Sequence, residues 1–238
     1  MEAICKAAVV QKAAELTDGE LALINAQALR PMAAGEVFAF KLAACDNQVD
    51  RDYERFTDAA LADMAKLYVG KPVLRDHRWN STCQAARVYA AGVEDAGDGR
   101  RLVLRCYMPR TEGTAETITA IESGVIRECS VGLRVGSSTC SICGAVQQKV
   151  MCAHWPGKEY DGKLCHFDLD NIKDTYEVSL VAIPAQPAAG VVKSKRYGGP
   201  EPGPGDGAGG PPQEDSKALQ RAYARLALEK IRYGGMSR

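Results

Sequence analysis

Four of the nine cysteines and two of the three histidines lie between residues 140 and 166, and this cluster constrains the fold more than any other feature. The segment CSICGAVQQKVMCAHWPGKEYDGKLCH contains a Cys-x2-Cys pair and, after eight intervening residues, a Cys-x-His pair. Two thiolates on a tight turn bind one tetrahedral metal ion, and a second pair completes four ligands. The predicted ligands are Cys140, Cys143, Cys152 and His154, with Cys165 as the alternative to His154.

The cluster favours a structural Zn²⁺ ion. The N-terminus contains acidic residues and has no uninterrupted apolar core, so we expect no signal peptide and a reducing, cytosolic setting. In such a setting clustered cysteines bind metal more readily than they form disulfides. Four protein ligands leave no open position for catalysis, so residues 137–167 are interpreted as a zinc-knuckle insertion between two strands.

The rest of the chain alternates short strand-like segments with a few helices. The predicted helices are 17–30, 57–70 and 114–124, and the predicted strands are 36–45, 71–77, a hairpin over 84–109, 125–136 and 174–189. Thr17 and Glu20 form a capping box before the first helix. Nothing repeats as β-α-β units, so we expect a mostly β protein with peripheral helices, of the α+β class, as a compact barrel or sheet.

Composition shifts divide the chain. We expect an N-terminal extension over 1–16, a main domain over 17–196, a Gly/Pro-rich linker over 197–215 and an amphipathic helix over 216–238. The C-terminal helix is interpreted either as a marginal helix in solvent or as a docking peptide for another protein. Thirty basic residues balance thirty acidic ones, so nucleic acid is not an expected partner, and no apolar run is long enough for a membrane span.

Ser130, in the stretch RECSVGL, is a candidate nucleophile that needs a base to take its proton. His77 follows the strand-like segment KPVL and is the main candidate base, because the other two histidines lie within the cysteine cluster. The candidates for orienting the imidazole are Glu177 and Asp76. Glu177 heads an otherwise apolar strand, where an unpaired carboxylate is costly to bury, although it could also face water.

Three segments together resemble a known family, the tailed-bacteriophage prohead maturation proteases. GKPVLRDHRWN resembles the histidine motif of that family, RECSVGLRV its nucleophile motif, and YEVSLVAIPAQPAA its closing strand. The order and rough spacing of the three segments also agree, over about residues 17–192. The ordered set of three motifs is more specific to this family than any one motif alone.

The resemblance implies a herpesvirus-protease-like closed β-barrel and a serine endopeptidase. The resemblance implies that Ser130 is the nucleophile and His77 the base. Glu177 is the expected third residue of the catalytic triad. The implied substrates are scaffold and major capsid proteins, with cleavage of the protease itself, inside the assembling prohead in the host cytoplasm. The herpesvirus relatives also suggest a homodimer.

Two other functions stay open at this point. The chain could be a zinc-knuckle binding or structural protein that is associated with capsid assembly and has no protease activity. It could also be a catalytically inactive relative that acts only as a scaffold-associated chaperone. Lys149, Lys158 and Lys163 are the only basic residues of the cluster, which weighs against a nucleic-acid role.

Overall fold

The computed structural model of the protein describes residues 16–150 and 152–182, and the backbone alone of 190–191. The predicted linker and C-terminal helix, and all of the predicted N-terminal extension except Leu16, lie outside these residues. No helix in the described part of the chain is long and apolar enough to cross a membrane.

The described chain is mostly β with three α-helices, which agrees with the predicted α+β class. The helices are α1 (Asp18–Asn25), α2 (Asp58–Leu67) and α3 (Glu112–Glu122). The strands are β1 (Val37–Asp46), β2 (Glu54–Phe56), β3 (Pro72–Arg75), β4 (Gln84–Asp95), β5 (Arg100–Pro109), β6 (Cys129–Cys140), β7 (Glu159–Tyr160), β8 (Lys163–Leu164), β9 (Phe167–Leu180) and β10 (Gly190–Val191).

Local sequence explains where the helices begin and end. The predicted capping box starts α1, because Thr17 and Glu20 exchange side-chain and backbone hydrogen bonds. The helix ends at Asn25 instead of residue 30, since the Asn25 side chain holds the backbone of Met32 through two hydrogen bonds and turns the chain. Thr57 caps the N-terminus of α2, because its side-chain oxygen accepts a hydrogen bond from the backbone N–H of Ala60.

Eight of the described strands form one sheet in the order β10-β1-β5-β4-β3-β9, where β9 also pairs with β2 and β6. One edge of β9 carries β2 and β3 in parallel, and the whole of β6 runs antiparallel along the other edge. β9 therefore holds together the segments that contain His77, Ser130 and Glu177.

The expected closed barrel is not found in the described part of the chain. The Cys129 thiol on β6 donates a hydrogen bond of 3.5 Å to the Ala43 carbonyl on β1, so the curled sheet brings its two ends near one another. No ladder of described residues joins these two strands, and the sheet order stays open. Closure would require paired backbone N–H and C=O groups along both strands, and a single thiol contact does not supply them.

The two faces of β1 bury separate apolar clusters because alternate side chains of a strand point to opposite sides. Phe38, Phe40 and Leu42 pack into the larger cluster with residues of α2, which include Leu61 and Met64. The other face packs Val37 and Ala39 with Ile24 of α1, Tyr89 and Tyr107. The clusters fix the sheet on which the candidate site is built.

Candidate functional site

His77 lies in a tight turn directly after β3. Its φ of 54° and that of Asp76, 53°, are both in the left-handed region, which costs a non-glycine residue of the order of 1–3 kcal/mol. Two hydrogen bonds hold this turn against β9. The Asp76 N–H donates to the Leu180 carbonyl at 3.1 Å, and the His77 N–H donates to the Ser179 hydroxyl oxygen at 3.1 Å.

The side chain of Glu177 orients the His77 ring. Its Oε1 lies 2.8 Å from His77 Nδ1, and the Glu177 side chain is only 1% exposed, whereas that of His77 is 43% exposed. A hydrogen bond at Nδ1 leaves Nε2 free to exchange a proton with another group. Glu177 thus has the partner that a buried carboxylate requires, whereas among the described residues no hydrogen bond or ion pair joins the Asp76 carboxylate to the ring.

Ser130 is brought to this site by the pairing of β6 with β9. It lies directly opposite Ser179, and Gly132 lies directly opposite Glu177. Opposite residues of an antiparallel ladder project to one face, with Cβ atoms about 4.5–5.5 Å apart. Ser130 therefore shares a face with the two β9 side chains that contact His77, although no hydrogen bond joins its hydroxyl to the ring among residues 16–150 and 152–182.

Gly132 is the position that lets Glu177 reach the ring. A Cβ at this residue would lie 2.2 Å from Glu177 Oε1 and 3.0 Å from its Cδ. The absence of a side chain therefore creates the space occupied by the carboxylate. The Gly132 carbonyl also accepts a hydrogen bond of 3.2 Å from the buried Tyr68 hydroxyl, and burial raises the pKa of Tyr68 well above its usual value.

A cavity of about 250 Å³ adjoins the half-buried Ser130. Its walls are mainly apolar, with carboxylates at one side, and its lining includes Ala44, Phe56, Val131, Leu133, Asp50 and Asp52. Burial raises the pKa of Asp50. The backbone N–H groups of Glu54 and Asp52 donate hydrogen bonds to its carboxylate and oppose this shift only in part. Ser130 is part of the lining, whereas Cys129 and Val131, its neighbours on β6, project to the opposite face from the Ser130 side chain.

The cysteine cluster lies in the connection between β6 and β9. The predicted insertion over 137–167 overlaps the ladder, since it includes the last four residues of β6 and the first residue of β9. Cys140 and Phe167 lie opposite one another at the end of this ladder. The ligand atoms of the four predicted residues all lie within 4.8 Å of one another. These residues are Cys140, Cys143, Cys152 and His154.

The chemistry of this cluster fits a metal ion. His154 Nδ1 is buried and has no hydrogen-bond partner in the part of the chain that the structure describes, which is costly for a ring nitrogen unless something binds it. Burial raises the pKa of Cys140, but the backbone N–H groups of Cys143 and Ile142 face its sulfur and bring the pKa below the ordinary value. Gly144, with φ of 71°, completes this turn by donating its N–H to the Cys140 carbonyl at 2.9 Å. The cluster could hold a metal ion as a Cys3His site.

Cys165, the predicted alternative ligand, is also close. Its sulfur is 4.0 Å from that of Cys140, and burial together with the Cys140 thiol raises its pKa to about 11. His166 is not one of the converging residues, and its Nε2 lies 3.4 Å from a carboxylate oxygen of Asp168. The remaining described cysteines are apart from the cluster, and Cys45, Cys106 and Cys129 are buried in the core.

Sequence reasoning did not assign roles to Ser179 or Tyr68. Ser179 could have been found from the Glu-x-Ser spacing, since residues two apart on a strand share a face. Tyr68 gave no such signal, because its contact with Gly132 joins residues 64 positions apart. Comparisons with protein-family models, with curated proteins and with solved structures found no match to this chain.

Proposed function

We propose that the protein is a serine endopeptidase in which Ser130 is the nucleophile, His77 the base and Glu177 the group that orients the imidazole. The observation that carries the proposal is the 2.8 Å hydrogen bond between His77 Nδ1 and the buried Glu177 carboxylate, on the strand that pairs with Ser130. A carboxylate at Nδ1 fixes the ring and stabilises the positive charge that it gains.

The reaction is an acyl transfer in two stages. Ser130 Oγ bonds to the scissile carbonyl carbon while its proton passes to His77 Nε2, and the tetrahedral intermediate then expels the amine, which takes that proton. Water next attacks the acyl-enzyme, His77 takes a proton from the water, and Ser130 regains it as the acid product leaves.

The substrate class rests on the resemblance of the three motifs around His77, Ser130 and Glu177 to prohead proteases. We propose that the enzyme cleaves scaffold and major capsid proteins, and its own chain, inside the assembling prohead in the host cytoplasm. The curled sheet, with β9 between the other two motifs, agrees with a relative of the herpesvirus-protease fold that is open along one side. A homodimer is part of the same proposal.

Co-expression with the neighbouring scaffold and capsid gene products tests this function. The wild-type chain should yield truncated scaffold and capsid proteins, identified by mass spectrometry, whereas Ser130→Ala should yield only full-length ones. Ser138→Ala is the matched control, because Ser138 is another partly buried serine on β6. Full processing by Ser130→Ala, or loss of processing in Ser138→Ala alone, would contradict the assignment.

A second candidate function, a metal-stabilised binding protein without protease activity, is favoured by the Cys3His cluster. We propose that this cluster binds a structural Zn²⁺ ion in either case, since three sulfurs and one nitrogen form a ligand set that zinc prefers. Protein purified without chelators should contain one zinc per chain. In this second function Ser130→Ala would leave capsid assembly unchanged, and removal of zinc would abolish it.

Replacement of zinc by Co²⁺ decides between His154 and Cys165, because the intensity of the thiolate-to-metal absorption follows the number of cysteine ligands. With a Cys3His site, Cys165→Ala leaves the spectrum unchanged and His154→Ala alters it. The reverse result would make Cys165 the fourth ligand.

A further inference from the structure

We propose that Ser179 is a positioning residue, which joins the backbone of His77 to the carboxylate of Glu177 and so sets the direction in which the imidazole faces Ser130. This inference rests on the proposed protease function. Ser179 is fully buried, and its hydroxyl makes two hydrogen bonds. It accepts from the His77 N–H at 3.1 Å and donates to Glu177 Oε2 at 2.5 Å.

These two contacts fix the direction of the hydrogen bonds at the Ser179 hydroxyl. A serine has one O–H to donate, and Ser179 gives it to Glu177, so the same oxygen can only accept from His77. The two oxygens of Glu177 are thereby assigned, with Oε2 held by Ser179 and Oε1 left for the His77 ring. Rotation of the carboxylate would break both contacts together.

The His77 turn requires such a restraint. Two successive left-handed residues are strained, and the His77 side chain is exposed enough that packing does not lock its ring. The hydrogen bond to Ser179 anchors the backbone of His77, and the Glu177 contact anchors its ring. One buried hydroxyl therefore fixes both ends of the same residue, directly across the ladder from Ser130.

The chain contains a matched control for the loss of this hydroxyl. Thr175 lies on the same strand, is fully buried, and its hydroxyl has no hydrogen-bond partner among the described residues. Thr175→Val removes a buried hydroxyl without removing a contact, whereas Ser179→Ala removes two. Ser179→Thr is the conservative variant, because it keeps the hydroxyl.

Pre-steady-state hydrolysis of p-nitrophenyl acetate by the full chain separates binding of the ester from acylation of Ser130. Ser179→Ala should lower the acylation rate by about 10- to 100-fold with an unchanged dissociation constant for the ester. Thr175→Val should acylate at the wild-type rate, and Ser179→Thr should recover most of the loss. An unchanged acylation rate in Ser179→Ala, or an equal loss in Thr175→Val, would overturn the proposal.

Amide hydrogen exchange on the wild-type chain tests the anchor even if Ser179→Ala does not fold. The His77 amide should exchange slowly although its side chain is exposed, because it donates to a buried oxygen. Rapid exchange at His77 would refute the anchor. If the wild type shows slow exchange at His77 but no acylation at Ser130, the protease function fails while the structural link between Ser179 and His77 stands.

Discussion

The substitution Gly132→Ala should damage the site through a single steric contact. The new Cβ would lie 2.2 Å from Glu177 Oε1, and an ordinary contact requires the oxygen to retreat by about 1 Å. The Glu177 carboxylate is buried and bonded to both His77 and Ser179, so it has no alternative position that keeps these hydrogen bonds. A retreat of this size takes the 2.8 Å bond to His77 beyond hydrogen-bonding range.

The expected effect of Gly132→Ala can be given for both the acylation rate and the free energy of unfolding. A misplacement of about 1 Å in a catalytic group costs on the order of 100-fold in rate, so acylation of Ser130 by p-nitrophenyl acetate should fall by about that factor. Overpacking of a filled site costs roughly 1–3 kcal/mol in the free energy of unfolding. For a domain of this size each kcal/mol lowers the melting temperature by about 2–4 °C, which a calorimetric scan resolves.

Two other glycines provide controls for Gly132→Ala. Gly136→Ala also produces a severe contact, 2.3 Å from the Asn171 carbonyl oxygen, but away from Glu177. It should destabilise the fold without a comparable loss of acylation rate per folded molecule. The new Cβ of Gly92→Ala meets no atom of residues 16–150 or 152–182 within 4 Å, so this variant should leave both quantities unchanged. Wild-type acylation in Gly132→Ala, or an equal rate loss in Gly136→Ala, would refute the described role of Gly132.

Three further changes test other contacts. Glu177→Gln keeps the size of the side chain but removes its charge, and should lower the acylation rate by as much as about 10⁴-fold while the circular dichroism spectrum is kept; near-normal acylation would remove Glu177 from the mechanism. Cys143→Ser should reduce bound zinc to a small fraction of the wild-type content, as measured by plasma mass spectrometry. Cys83→Ser lies outside the cluster and should keep the wild-type zinc content. Equal zinc contents in the two variants would argue against the site. Tyr68→Phe removes the donor to Gly132 and should lower the free energy of unfolding in urea by about 1 kcal/mol, and an unchanged value would mean that this bond contributes nothing.

Local signals in the sequence predicted most helix starts and strand positions, and tertiary contacts moved their ends. Thr17 marks the start of α1 correctly, but nothing local announces that Asn25 will bond to Met32 and end the helix early. Likewise β6 begins at Cys129 instead of residue 125, because the N–H groups of Val125 and Ile126 both donate to the Ala120 carbonyl at the end of α3.

The residues of the candidate site could be predicted from the sequence, but the hydrogen bonds and cross-strand contacts between them could not. The cost of burying Glu177 indicated that it needs a partner, and the structure provides His77. The cysteine spacing likewise indicated the four residues whose ligand atoms converge. The roles of Ser179 and Gly132 depend on the register between β6 and β9, and the open sheet depends on which strands pair across the whole domain. Such long-range pairing leaves no local signature in the sequence.

The central claim is that the hydroxyl of Ser130 is activated by the imidazole of His77. Labelling of the full chain with a fluorophosphonate probe, followed by peptide mapping, tests it directly. The account predicts a single modified residue, Ser130, in the wild type, and at least a 100-fold slower modification in a folded His77→Ala variant. Modification of a different serine, or equal labelling of the two chains, would contradict it.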